Sequence, residues 1–273
     1  MTYSAILTEK DFLVKGVIDL QRGVLSDILW HMQKTGSKDK NEDTLVEKMF
    51  RAGAHYGYSK ARRHPSVSKH IYATKYKSDI INLEKTSEEL AQAIEFVKEL
   101  GSTGKVLLFV GTKPEARETI KNAAMSLGMP YVNERWIGGT LSNFSEIKKR
   151  VTELENYHKD VAEGGLSKYT KKERGVLAKK MEKLERYYSG LVGIKKTPDA
   201  LFLVDARAEH IARAEAKDKG VPIIALVNSD SNIKGIEYPV VCNDASVPSI
   251  KLMTEMIADA YKKESALAPA KAE

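Results

Sequence analysis

The chain has 273 residues, 42% of them hydrophobic, with a mean hydropathy of −0.37, the composition of an ordinary globular protein able to bury a sizeable core. Lys and Arg number 44 against 37 acids, giving a net charge of +7, a modest excess that favours a polyanionic partner without proving one. Cys242 is the only cysteine, which excludes an intrachain disulfide or a cysteine-cluster zinc site, and no apolar run approaches the roughly 18 residues of a membrane span. Glu9, Asp11, Asp19 and Asp27 near the start argue against an export or import signal, so the expected compartment is the cytoplasm.

Residues 12–32 place Val14, Val17, Ile18, Leu25, Ile28, Leu29 and Met32 largely on one helical face. Gly16 and Gly23 would each cost roughly 1 kcal/mol in an isolated helix, so this helix needs a surface to lie on. That surface is either this protein's own core or a neighbour. Residues 33–43 are polar and read as a linker, making 1–43 an N-terminal extension.

From residue 44 short β-rich runs alternate with amphipathic stretches. The strands are expected at Ile71–Thr74, Ile80–Leu83, Val106–Val110, Leu201–Val204, Pro222–Val227 and Tyr238–Val241. Helices are expected over 86–100, 114–127, 208–218 and 247–262, with capping boxes at Thr86-x-x-Glu89 and Thr112-x-x-Glu115 and Pro114 in a first turn. Such alternation implies a doubly wound α/β core over 44–140 and 192–263, with a mainly parallel sheet.

Residues 141–191 break the alternation. Phe144, Ile147, Val151, Leu154, His158 and Val161 recur at heptad spacing, as do Leu177, Met181, Leu184, Tyr188 and Leu191 after a Gly-Gly turn. This pattern predicts an antiparallel coiled-coil hairpin projecting from the core, with Thr170-x-x-Glu173 as the cap of its second helix. Residues 264–273 are expected to be a disordered tail.

Charge is concentrated in two places. Between Gly57 and Ser78 lie Lys60, Arg62, Arg63, Lys69, Lys75 and Lys77, with His64 and His70, interleaved tyrosines and no acid. Cations can neutralise phosphates and tyrosines can stack on bases, although a solvated basic edge would look the same. From Lys168 to Lys196 ten Lys and Arg face three glutamates, which fits either RNA or protein contact or plain solvation of a helix pair. Two stretches could point to an enzyme. FVGTKPEA (109–116) fails the phosphate-loop template, having one glycine before Lys113 and Pro114 after it. Asp205, Arg207, Glu209 and His210 follow a strand, where an acid/base site or a helix-capping Asp are the alternatives.

Five segments in order, EKMFRAGAHYGY (47–58), IINLEKT (80–86), LLFVGTKPEA (107–116), NERWIGGTLSN (133–143) and PDALFLVDARAEHIARAEAKDKGVP (198–222), resemble the signatures of the bacterial ribosomal protein S2 family. The resemblance implies a flavodoxin-like domain with a protruding coiled-coil hairpin, serving as a non-catalytic constituent of the small ribosomal subunit. It implies contact with small-subunit ribosomal RNA and neighbouring ribosomal proteins, and tethering of the messenger-binding ribosomal protein S1. No cofactor, metal, small-molecule substrate or membrane is expected. The RNA-binding candidates are Lys60, Arg62, Arg63, His64, Lys69, Lys75 and Lys77 in the basic loop, Arg135, Trp136 and Asn143 at the tryptophan turn, and Lys148 and Lys149 on the hairpin. Lys171, Lys172 and Arg174 on the second hairpin helix, and Ile18 and Leu25 near the N-terminus, are candidate partner contacts.

Overall fold

The computed structural model describes residues 44–165 and 170–267. The helix expected over 12–32, the linker 33–43 and the tail segment 268–273 lie outside the described residues.

A short helix, α1 (Leu45–Arg51), opens with a reciprocal cap in which Thr44 and Glu47 satisfy each other's backbone amides. Three strands follow, β1 (Tyr56–Ser59), β2 (Ile71–Lys75) and β3 (Ser78–Ile81), forming a separate antiparallel sheet in the order β1-β3-β2. The runs around 71 and 80 therefore do not enter the parallel sheet, as the alternation had implied. Only Tyr76 and Lys77 separate β2 from β3, and a parallel crossover needs a dozen or so residues.

The main sheet is made of β4 (Leu107–Val110), β5 (Tyr131–Val132), β6 (Ala200–Val204), β7 (Ile223–Val227) and β8 (Tyr238–Val241). All are parallel, in the spatial order β5-β4-β6-β7-β8. Counted along the chain this is 2-1-3-4-5, the flavodoxin-like winding, whose switch point lies between β4 and β6. Every residue of β4, β6 and β7 is buried, because helices cover both faces. On one face Leu107, Phe109, Phe202 and Leu226 pack against α2 (Leu83–Thr103), α3 (Pro114–Leu127) and α7 (Val247–Leu267). On the other, Leu108, Val110, Leu203 and Ala225 meet α6 (His210–Lys219), the tryptophan turn and the start of α4 (Phe144–Ala162).

Two expected capping boxes are replaced by tertiary bonds. Helix α2 starts earlier, capped by Asn82, and the buried Thr86 hydroxyl donates 2.6 Å to the carbonyl of Val241. Glu89 accepts from the Val241 amide at 2.9 Å, so the supposed box stitches α2 to β8 instead. Thr112 likewise donates its amide (3.1 Å) and hydroxyl (2.5 Å) to Glu209, while Pro114 does occupy the first turn of α3. The third box holds: Thr170 and Glu173 cap α5 (Lys171–Tyr188) reciprocally.

Where the heptad pattern lies, α4 and α5 form two helices tied across by Lys180 to Glu153. Burial is confined to the end near the sheet. Ile147 and Val151 belong to the core of the α/β unit and Leu154 and Met181 are buried, whereas Val161 and Val176 are exposed. The base of the pair is thus held by the sheet layer and not by the helical seam alone. Helix α7 extends to Leu267, four residues into the expected tail. It runs on because it lies against α2, where a Cβ at Gly101 would come within 2.8 Å of the Tyr261 carbonyl and 3.2 Å of the Glu264 side chain.

Candidate nucleic-acid interface

The three-stranded sheet hangs on the carboxyl edge of the main sheet through Ser229, which follows β7. Its hydroxyl accepts from the Tyr58 amide at 2.8 Å and its carbonyl from the His64 amide at 2.9 Å. Val67 and Ile81 fill the core beneath. A Cβ at Gly57 would sit 3.0 Å from the Ser229 hydroxyl and 3.2 Å from Asp79, so a larger residue would push these neighbours apart by a few tenths of an ångström.

The structure divides the basic residues of this segment into two sets. Arg63 is structural: its Nε lies 2.6 Å from Asp79 Oδ2, and its Nη2 bonds Asp79 Oδ1 and Thr74 Oγ1. Burial alone would push the Asp79 carboxyl up, but hydrogen bonds from Arg63 and Thr74 outweigh it and hold it below the usual range. His64 is also used internally, its Nδ1 accepting from the Ser66 amide to cap the 3-10 turn Pro65–His70. His70 faces Glu89 at 2.7 Å. The second set faces outward. Lys60, Lys69 and Lys77 are exposed, as are Tyr72 and Tyr76, while Lys75 is half-buried. Lys60 is held beside the hairpin tip by its amide, which donates 2.9 Å to the Lys77 carbonyl.

Arg62 stacks on Tyr58, 4.3 Å from the ring centroid, and reaches Asp230 Oδ2 at 3.0 Å. Arg207 reaches the same oxygen at 2.6 Å. Two half-exposed guanidiniums thus share one buried carboxylate. Arg207 was not among the RNA-binding candidates, because its partner Asp230 lies 23 positions away in sequence.

In the tryptophan turn the indole departs from the expected role. Trp136 is buried, 5% exposed, and packs in the core, so it cannot stack on a base from this position. Its Nε1 donates to Glu215, which also accepts from the amides of Gly139, Leu141 and Ser142 and from the Ser142 hydroxyl, all within 3.2 Å. Burial pushes the Glu215 carboxyl up, but these donors more than reverse it and hold it below the usual range. Arg135 beside it is exposed, with no partner for its guanidinium among the described residues. Asn143 precedes α4 without a side-chain cap, its Oδ1 accepting from Ser145. Lys148 and Lys149 are exposed on α4, Lys149 beside Glu146, and Lys171, Lys172 and Arg174 are exposed on the first turn of α5. Ile18 and Leu25 lie outside the described residues.

At the switch point, where this winding commonly receives a ligand, the crevice is filled by the protein's own charges. Lys113 Nζ lies 2.9 Å from Asp205 Oδ2 and 3.2 Å from Asp244 Oδ1. Burial pushes the Asp244 carboxyl up to about 6, with the neighbouring Asp205 adding to the rise and Lys113 opposing it. Asp205 Oδ1 accepts from the amides of Arg207 and Ala208, an Asx turn leading toward α6, and His210 is exposed on that helix. Asp205 is thus engaged by Lys113 and the turn amides. Among the described residues no group of His, Cys, Asp and Glu could hold a metal ion, and no helix is long and apolar enough to cross a membrane.

Residues 49–264 match the family model described as ribosomal protein S2. The chain is also 38% identical over 215 residues to the small ribosomal subunit protein uS2 of Chloroflexus aggregans (strain MD-66 / DSM 9485), covering 79% of this chain and 90% of that protein. With a match over most of its length and the flavodoxin-like winding above, the chain belongs to the ribosomal protein S2 family, structural constituents of the small ribosomal subunit and not enzymes.

Proposed function

We propose that this chain is seated in the small subunit by ribosomal RNA lying against the β1–β3 sheet and the adjoining 3-10 turns. The observation that carries this reading is the outward set Lys60, Lys69, Lys77, Tyr72 and Tyr76, on strands and turns whose own acid, Asp79, is consumed by Arg63. Arg62 and Arg207 extend the positive surface past Asp230, and the exposed Arg135 adds a cation at the tryptophan turn. Phosphate contacts by these side chains would position the protein, and the rigid turns that carry them would set its register. The exposed distal half of α4 and α5, with Lys171, Lys172 and Arg174, is a second surface, which we assign to a neighbouring ribosomal protein or RNA segment, with the pair acting as an antiparallel coiled coil. Tethering of ribosomal protein S1 follows from the family resemblance alone and would show as loss of S1 from subunits lacking this chain.

The test replaces Lys60, Lys69 and Lys77 together with alanine. These residues are exposed, so the fold should survive, while binding to a small-subunit ribosomal RNA transcript should weaken. Its dependence on log[salt] should flatten by up to about 3, roughly one for each phosphate left without its lysine. The variant should also sediment less with small subunits on sucrose gradients. Unchanged affinity, salt slope and subunit incorporation would remove this surface from the interface.

A further inference from the structure

We infer that Tyr76, at the tip of the β2–β3 hairpin, is a base-stacking residue that holds one unpaired nucleotide of the RNA. This rests on the RNA-facing reading of the small sheet and names the chemistry of its most exposed point. Lys75 pairs directly with Ser78 in the ladder, so the turn contains only Tyr76 and Lys77. Both have left-handed backbones, with φ of 48° and 67°. A two-residue hairpin turn with positive φ at both positions is ordinarily filled by Asn-Gly or a similar pair, since a Cβ is disfavoured there. An aromatic ring with no glycine beside it is a poor choice for the turn itself.

The ring does nothing for the fold that would offset this. Tyr76 is 79% exposed, the largest exposed fraction among the bulky apolar and aromatic side chains of the described residues. No aromatic or cation–π partner is found for it among the described residues. Backbone strain that packing does not compensate is characteristic of ligand contacts.

The surroundings select the ligand. Lys60 and Lys77 are joined through the backbone at this tip, so two exposed lysines share it with Tyr76, and the nearest acid in the strand ladder is the buried, paired Asp79. A flat, amphipathic ring on the same tip as two lysines matches a nucleotide, with the base on the ring and its phosphates on the lysines. Only an unstacked base offers its face, which makes the recognised feature a loop, bulge or single-stranded end of RNA.

Tyr76→Asn separates the two roles, because asparagine accepts a left-handed backbone but cannot stack. The full-length variant should unfold at a higher temperature than wild type and yet bind the small-subunit ribosomal RNA transcript about 5- to 100-fold more weakly, the range for loss of one base–aromatic stack. Its salt slope should equal that of wild type, since no charge is removed, whereas Lys77→Ala should lower the slope by about 1. Tyr76→Phe should restore binding. Wild-type affinity in Tyr76→Asn, with the triple lysine variant impaired, would overturn the stacking role and leave the RNA-facing sheet standing. If the triple variant also binds normally, the surface itself is wrong. Loss of binding accompanied by a reduced salt slope would show that the tip acts only through charge.

Discussion

The indole nitrogen of Trp136 lies 3.2 Å from Oε1 of Glu215, joining the turn before α4 to the buried side of α6 across 79 positions of sequence. Three backbone amides and a hydroxyl converge on the same carboxylate, so one side chain satisfies a loop that would otherwise bury unpaired donors. The Gly-Gly turn lets those amides point inward: Gly139 has a φ of 95°, a conformation other residues rarely adopt.

Glu215→Ala leaves these donors without an acceptor in a buried site. The expected cost is about 3 kcal/mol, read from chemical denaturation midpoints. In a Trp30→Phe background, Trp136 emission should shift to longer wavelength as water enters the loosened turn. An unshifted spectrum with wild-type stability would mean that the turn stands without its anchor.

Arg63→Ala is expected to act on stability and not primarily on RNA. It strands the fully buried Asp79 carboxylate with only Thr74 as donor, a change of about 3–5 kcal/mol. Lys60→Ala, by contrast, should alter stability by no more than about 0.5 kcal/mol. Thermal melts of the two variants separate these roles. Equal melting temperatures would show that the Arg63–Asp79 pair is not holding the sheet.

Lys113→Met should convert the filled crevice into a pH-sensitive weakness. The Asp244 carboxyl is already raised to about 6, so its ionised form destabilises the fold as pH climbs from the ordinary carboxylate range through that value. Without Lys113 that penalty grows. Denaturation midpoints should show a deficit of about 3–5 kcal/mol at pH 7.5 that shrinks at pH 5, where Asp244 can hold its proton. A deficit independent of pH would contradict the assignment.

His55 carries the opposite sign. It is buried between Phe50 and Tyr56, at centroid distances of 4.3 Å and 4.0 Å, and neither ring nitrogen has a hydrogen-bond partner among the described residues. Burial lowers its pKa from 6.5 to about 4, so the unfolded chain takes up a proton that the folded one refuses. Its contribution is intact above about 6.5 and is lost as pH falls toward 4, on the order of 2 kcal/mol between pH 7 and pH 5. His55→Phe should preserve the ring stack and remove this loss, so that the stability difference between wild type and variant changes by that amount across the interval. A constant difference would refute the depressed pKa.

Much of the architecture was legible because it is written in local patterns. The buried runs of β4, β6 and β7, Pro114 in a first turn and the Thr170–Glu173 cap depend on residues within a few positions of one another, and each stands where the spacing placed it. The five ordered signatures carried the family for the same reason: residue identities in a row need no partner to be read.

Which charge faces outward was not legible. Arg62 and Arg63 are adjacent and chemically identical, yet one reaches Asp230 at the surface and the other is locked on buried Asp79. Trp136 and Arg135 were both RNA-binding candidates, but the indole turned inward to Glu215 while Arg135 stayed exposed. Thr86 and Glu89 had the spacing of a cap and became a clasp on Val241. The sequence by itself determined the winding, the helical pair and the family, since these follow from hydrophobic periodicity and from identities in order. The tertiary structure decided which polar groups were consumed within the fold and which were left exposed, because a buried donor or charge must find its partner wherever the chain brings one, without regard to separation in sequence.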